Sequence, residues 1–225
     1  MRKIAAGSVL VVLLCLPCRS FGISPLARPA EDKDTRSWLT FELSYNFVYF
    51  NDDIFKDVLD KDSFPGVGLG IGFYPYPDRR LELSGQVMSI YEKGYAIGEI
   101  TGEESGESFS LTAWPLQFSM TYRFDFLDEQ ILVPSLSAGL DYYYYSESRE
   151  FGDDVDGGKG GYHAGASLAL LLDRLDPRSA GSIEREFGVK NVFLKFNYEM
   201  AVIGKGDEGL DFSNQSYSAG LVLEF

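Results

Sequence analysis

The chain has 225 residues, 34 acidic against 20 basic side chains, and a net charge of −14 with a pI near 4.5. So large an excess of carboxylates excludes nucleic acid as a partner. Mean hydropathy is only −0.10 and no apolar run of about 20 residues follows Leu16, which excludes helical membrane spans.

The first element is a leader. Arg2 and Lys3 precede an apolar stretch, Ile4 to Leu16, and Ser20-Phe21-Gly22 supplies small residues where a signal peptidase needs them. Residues 1–22 are therefore expected to be removed. Cys15 and Cys18 go with them, and Leu14 and Pro17 stand where a lipid-modified cysteine needs a small residue before it. The mature chain then has no cysteine, so disulfide and thiol chemistry are unavailable to it. Residues 23–36 are polar and proline-bearing, a tail before the first strand.

From 37 onward the sequence alternates with period two, eight times over. Strand one, 37–50, sets Leu39, Phe41, Leu43, Tyr45, Phe47 and Tyr49 against Thr40, Glu42, Ser44 and Asn46. Strand two, 64–75, sets Val67, Leu69, Ile71 and Phe73 against Gly66, Gly68, Gly70 and Gly72. Strand three, 80–93, sets Leu81, Leu83, Val87 and Tyr91 against Glu82, Ser84 and Gln86. Strand four, 108–124, sets Leu116, Phe118, Met120, Tyr122 and Phe124 against Gln117, Ser119, Thr121 and Arg123. Phe109, Leu111 and Ala113 carry the opposite parity, so a bulge is expected at Trp114-Pro115. Strand five, 131–145, places Leu132, Leu136, Ala138, Leu140, Tyr142 and Tyr144 outward, with Asp141 in the other phase. Strand six, 161–172, offers Tyr162, Ala164, Ala166, Leu168 and Leu170.

Residues 173–188 then interrupt the pattern. Asp176 as N-cap, Pro177 at the first helical position and Gly188 just past the end predict a short helix. Its Ala180, Ile183 and Phe187 fall on one face. Strand seven, 189–203, alternates Val192, Leu194, Phe196, Tyr198, Met200 and Val202 with Lys195, Asn197 and Glu199. The last strand ends on an aromatic, with Tyr217, Ala219, Leu221, Leu223 and Phe225 on one face and Ser216, Ser218, Gly220, Val222 and Glu224 on the other.

This dyad pattern, with a terminal outward phenylalanine, resembles the small eight-stranded bacterial outer-membrane β-barrels (the OmpA-transmembrane, OmpX and OmpW-like proteins). Roughly 200 mature residues suit eight strands of about 10 residues with their loops. The stretch Leu172 to Leu194 is similar to the corresponding turn of an uncharacterised family of myxobacterial-type outer-membrane barrels. The resemblance implies an all-β, closed antiparallel barrel over 37–225 with one short periplasmic-side helix. It implies an outer-membrane location, and a closing strand (Tyr217, Leu221, Leu223, Phe225) that the barrel-assembly machinery reads. It carries no activity and no cofactor.

Connections 1–2, 3–4, 5–6 and 7–8 read as long and acidic, and 2–3 and 4–5 as short. Long loops face outward in this architecture, which leaves both termini periplasmic. Tyr74, Tyr76, Tyr122, Phe124 and Phe225 are assigned to one interfacial girdle. Tyr49, Phe50, Tyr91, Tyr95, Tyr142 to Tyr145 and Tyr162 are assigned to the other. Acidic loops facing lipopolysaccharide suggest contact through divalent cations, and a monomer is expected.

Chemistry is sparse. The inward set Glu42, Glu82, Arg123, Asp141, Lys195, Glu199 and Glu224 predicts a packed polar network, because eight strands enclose only enough room for side chains. His163, the only histidine, shares a strand face with Ser167 and raises hydrolysis. Barrel lipid A deacylases place such a pair closer, so the alternative is a solvated rim residue. Asp153-Asp154-Val155-Asp156-Gly157-Gly158 lacks the terminal acid of a calcium loop, and no metal site is expected. Three functions follow: a structural or surface-interaction barrel; a narrow channel or carrier for small hydrophobic molecules, favoured by Met88, Ile90 and the parity of Phe109 and Leu111; and a lipid-modifying enzyme resting on His163.

Overall fold

The computed structural model describes residues 37–225 apart from 53–54, 56–62, 98–103, 128–129, 150–153 and 205–210, with backbone alone at 95–97, 104–109 and 149. Eight strands run in order: β1 Leu39–Phe50, β2 Phe64–Phe73, β3 Leu81–Ile97, β4 Glu104–Arg123, β5 Leu132–Arg149, β6 Val155–Leu171, β7 Asn191–Ile203 and β8 Asn214–Glu224. Each pairs antiparallel with the next, and β8 pairs with β1 from Thr40↔Glu224 to Phe50↔Asn214, so the sheet closes. Closure leaves no strand edge unpaired, the condition for crossing a bilayer with β-structure.

The period-two pattern becomes an inside and an outside. One outward row runs Ile71, Gly85, Phe118, Leu140 and Tyr162 across five strands in register. Phe118 is 66% and Leu140 67% exposed, and their neighbours on this face are apolar. Residues of this kind on a water-facing wall would be costly, so the wall is a lipid-facing surface. Two rims follow from the connections. Both ends of the barrel chain share one rim, here called the terminal end, with connections 74–80, 124–131 and 172–190; the far end carries 51–63, 98–103, 150–154 and 204–213. Phe225 N–H donates to Leu39 O and Trp38 N–H to Phe225 O, at 2.9 Å each, sealing the terminal end of the β1–β8 seam.

Helix α1, Pro177–Phe187, forms as its sequence signals specify. The Asp176 carboxylate accepts from the Arg178 and Ser179 N–H groups, Pro177 opens the first turn, and Gly188 closes the last at φ 73°. Ala180 is buried, while Phe187 is 69% exposed rather than packed with it.

Three expectations are corrected. No bulge interrupts Trp114-Pro115: the β4–β5 register runs unbroken from Phe109↔Arg149 to Arg123↔Ser135, and Leu116↔Val87 and Ala113↔Ile90 share one β3 register. Leu111, Ala113 and Pro115 stay in the inward phase of Gln117, so the far half of the lumen is mostly apolar, with the buried Glu92 opposite Leu111. Connections 3–4 and 5–6 are tall hairpins instead of long loops. Glu104, Glu147 and Asp156 lie on strands, since ladder pairing satisfies the backbone that a loop would leave to solvent. Finally, Tyr74, Phe50, Tyr143 and Tyr145 leave the girdles. Tyr74 and Tyr143 are buried inside the barrel, and Phe50 and Tyr145 pack on the far-end core.

Candidate functional site

The lumen is a stack of side-chain layers. At the terminal end Arg123 and Glu224 form a 2.6 Å ion pair with side-chain exposures of 9% and 2%. Glu224 also accepts from the Tyr74 hydroxyl at 2.7 Å, from Asn191 at 2.8 Å and from Arg79 at 3.5 Å. Arg123 donates to the Tyr74 hydroxyl and lies over the Phe193 ring, 5.1 Å from its centroid. Glu224 thus accepts from four partners and Arg123 is both paired and stacked, the kind of satisfaction under which a buried ion pair is tolerated. The next layer joins Lys195 to Glu42 at 2.8 Å and Thr40 to Glu82 at 2.7 Å, around a cavity of about 20 Å³. That is room for one water molecule.

The central layer holds the only histidine. His163 lies well inside β6, which begins at Val155, and it is buried rather than solvated at a rim. Its Nδ1 sits 3.0 Å from both oxygens of Asp141, and its Nε2 sits 2.9 Å from Ser119 Oγ and 3.9 Å from Glu199. Gln117 in turn donates to Glu199 at 2.6 Å. Ser167, the serine that shares a strand face with His163, bonds Ser135 Oγ instead, at 2.5 Å.

Strand pairing alone does not bring Ser119 to His163, since β5 lies between them. Gly139 on β5 makes the contact possible: a Cβ there would stand 2.6 Å from the imidazole. The glycine run on β2 works in the same way. Ser44 of β1 and Gln86 of β3 bond at 2.9 Å over Gly68, where a Cβ would lie 2.3 Å from the Gln86 amide. Sequence inspection finds the glycines and the inward parity, but bonds between next-nearest strands follow only from closing and curving the sheet.

Distances of this kind define a serine–imidazole–carboxylate relay. A reacting carbonyl must also reach the serine beside oxyanion donors. Here the His163 and Asp141 side chains have no exposed surface, and the inner cavity described above is lined by neither. Asp141, His163 and Glu199 also bring ligand-type atoms within 4.8 Å of one another. In that cluster the Asp141 and Ser119 hydrogen bonds already occupy both imidazole nitrogens. As arranged, the layer is a hydrogen-bonded plug.

Toward the far end the lumen turns apolar. Val48, Phe64, Met88, Ile90, Leu111, Ala113, Ala201 and Ile203 line it, and Phe55 and Phe212 enter it from connections 1–2 and 7–8. Phe212 has no exposed surface and meets Phe55, Tyr143 and Tyr145 with ring centroids 5.0–5.8 Å apart, and Phe50 likewise. Asn214 ties it down, donating to the Phe212 carbonyl at 2.9 Å and the Tyr143 hydroxyl at 3.0 Å. Of the residues of the acidic 153–158 segment, Val155 to Gly158 are strand, and Asp153 lies outside the described residues.

No family model matches the sequence, and no curated protein matches it. Solved structures do. Neisserial surface protein A aligns over 84% of this chain and 96% of its own, with TM-score 0.51 and 16% identity. OprG, an outer-membrane protein of Pseudomonas aeruginosa, aligns over 87% and 99%, with TM-score 0.55 and 9% identity. The chain has the fold of the small eight-stranded outer-membrane β-barrels. At these identities the likeness concerns architecture, and the lumen chemistry is read from this chain's own residues.

Proposed function

We propose that the protein resides in a bacterial outer membrane as a monomeric structural or surface-interaction barrel, with its work done by its rims rather than through its lumen. The observation that carries this reading is the lumen itself. Charge pairs, the His163 layer and the aromatic cluster succeed one another, and the cavity beside Glu42 and Lys195 holds about 20 Å³. In this reading residues 1–22 are a cleaved leader, residues 23–36 a tail, and both termini periplasmic. Tyr217, Leu221, Leu223 and Phe225 present the outward face of the closing strand to the assembly machinery. Acidic far-end residues such as Asp52, Asp154, Asp156 and Asp211 meet lipopolysaccharide through divalent cations, which bridge two anionic surfaces.

A second reading, a carrier for small hydrophobic molecules, is favoured by one observation: the far-half lumen is apolar, and two of its fillers, Phe55 and Phe212, come from connections. Planar-bilayer recording separates the two. The scaffold gives at most small, flickering conductance, and Lys195→Met, which strands the Glu42 carboxylate, lowers stability by about 2–3 kcal/mol. Steady, large conductance with altered ion selectivity in Lys195→Met would refute the scaffold.

A further inference from the structure

The lipid-facing wall does not stop where the strands do. At the terminal end Leu127 and Leu175 are 69% and 70% exposed, as much as Phe118 and Leu140 on the wall itself. They belong to connections 124–131 and 172–190, which flank one strand pair: Leu132 pairs with Leu170, and Leu171 N–H donates to Ile131 O at 2.8 Å. Phe126 is exposed beside Leu127, and Phe187 is exposed at the end of the helix that follows Leu175. Large apolar side chains gathered on one rim mark an interaction surface.

Helix α1 shows what kind. Residues at i, i+3 and i+7 share a helix face, so Ala180, Ile183 and Phe187 form one row, and Arg178 and Arg185 stand on the opposite side. Ala180, at the start of the row, is buried against the protein, while Phe187, about two turns on, is exposed. One face thus begins on the barrel and runs past its edge, where the surroundings of the wall are lipid. The charges agree. Residues 172–190 carry four basic side chains, Arg174, Arg178, Arg185 and Lys190, and four acidic ones. Connections 51–63 and 204–213 at the far end together carry three basic and eight acidic, a balance that phospholipid phosphates repel. Trp38 and Tyr76, exposed at the terminal end, are residue types that settle at headgroup level.

We propose that α1 is an interfacial helix, lying in the headgroup layer of the leaflet at the terminal end. Phe187 and Leu175 enter the upper acyl region, and Arg178 and Arg185 turn to phosphates and water. Phe126 and Leu127 extend the same contact along the neighbouring connection. An apolar face backed by arginine is how a helix lies on a bilayer without crossing it. This placement rests on the barrel being in a membrane, as proposed above, and not on which leaflet the terminal end meets.

Tryptophan depth measurements test it. The two native tryptophans, Trp38 and Trp114, are changed to phenylalanine, and one tryptophan is introduced by Phe187→Trp, Arg185→Trp or Phe118→Trp. Each protein is checked for folding by its heat-dependent gel shift. It is then reconstituted in phosphatidylethanolamine–phosphatidylglycerol vesicles whose acyl chains are brominated either near the headgroup or near the chain end. Phe118→Trp, on the wall, should be quenched by bromolipid and reports that the barrel is in the bilayer. Phe187→Trp should be quenched more by the shallow bromines than by the deep ones. It should also emit at shorter wavelength than Arg185→Trp, which aqueous acrylamide should quench instead. Bromolipid quenching at 118 without quenching at 187 would overturn the interfacial helix and leave the membrane reading standing. Acrylamide reaching 187 would then place that face in water, and protection from both quenchers would assign it to a second copy of the chain. No bromolipid quenching at 118 would overturn the membrane reading and the interfacial helix together.

Discussion

The two halves of the lumen are filled by opposite means. The terminal half is closed by charge: Arg123 and Glu224 with Tyr74 and Asn191, then Lys195 with Glu42. Apart from Tyr74, these groups sit on strands, so opening that half means disturbing the barrel. The far half is closed by packing, and its fillers Phe55 and Phe212 come from connections, with Phe212 N–H bonded to Ile203 O at 3.1 Å. Polar closure is therefore expected to be permanent and apolar closure removable. The His163 layer lies between them, separated from the far end by the aliphatic and aromatic cluster.

The largest effect is expected from breaking the permanent half. Arg123→Met leaves Glu224 buried without its counter-charge and should destabilise the barrel by about 3–5 kcal/mol in urea unfolding. A loss below about 1 kcal/mol would mean that water enters this layer and that it is hydrated as the mouth of a channel would be. Next comes the removable half. Phe212→Ala should cost about 3 kcal/mol as a cavity opens among Phe55, Tyr143 and Tyr145. It should also admit a small apolar fluorophore that wild type excludes; exclusion by both proteins would show that this half is as permanent as the other.

The smallest effect sharpens the contrast from outside the barrel. Hydrogen bonds from the Ser179 hydroxyl and the Ser179 and Arg178 backbone hold the Asp176 carboxyl below its usual range. A depressed carboxylate stabilises α1 above the ordinary carboxylate pKa, and that contribution is lost as pH falls through the lower, folded value. Amide exchange in 177–187 should therefore quicken on acidification while the β1–β8 ladder stays protected. Loss of protection in both together would mean that the helix is part of the barrel's cooperative unit.

Much of this was legible in the chain because a strand has a period of two and a bilayer demands closure. Alternation determined the eight strands and the inward phase of Glu42, Glu82, Arg123, Asp141, Lys195, Glu199 and Glu224, and the capping residues Asp176, Pro177 and Gly188 determined the helix. Phase says which wall a residue faces but not whom it meets there. Leu111 and Ala113 read as a register slip in sequence because an apolar residue facing inward is unexpected in a polar lumen; Phe55 and Phe212, distant in sequence, join them in one cluster. The sequence singles out Ser167 and not Ser119 as the partner of His163, because the Ser119 bond crosses Gly139 to the second strand away, and such bonds exist only once the sheet curves on itself. The apolar hollow that Gly85 leaves in the outward wall of β3, between Ile71 and Phe118, belongs to the same class. A glycine in the outward phase is plain in the sequence, but a hollow needs the neighbours that β2 and β4 place on either side of it.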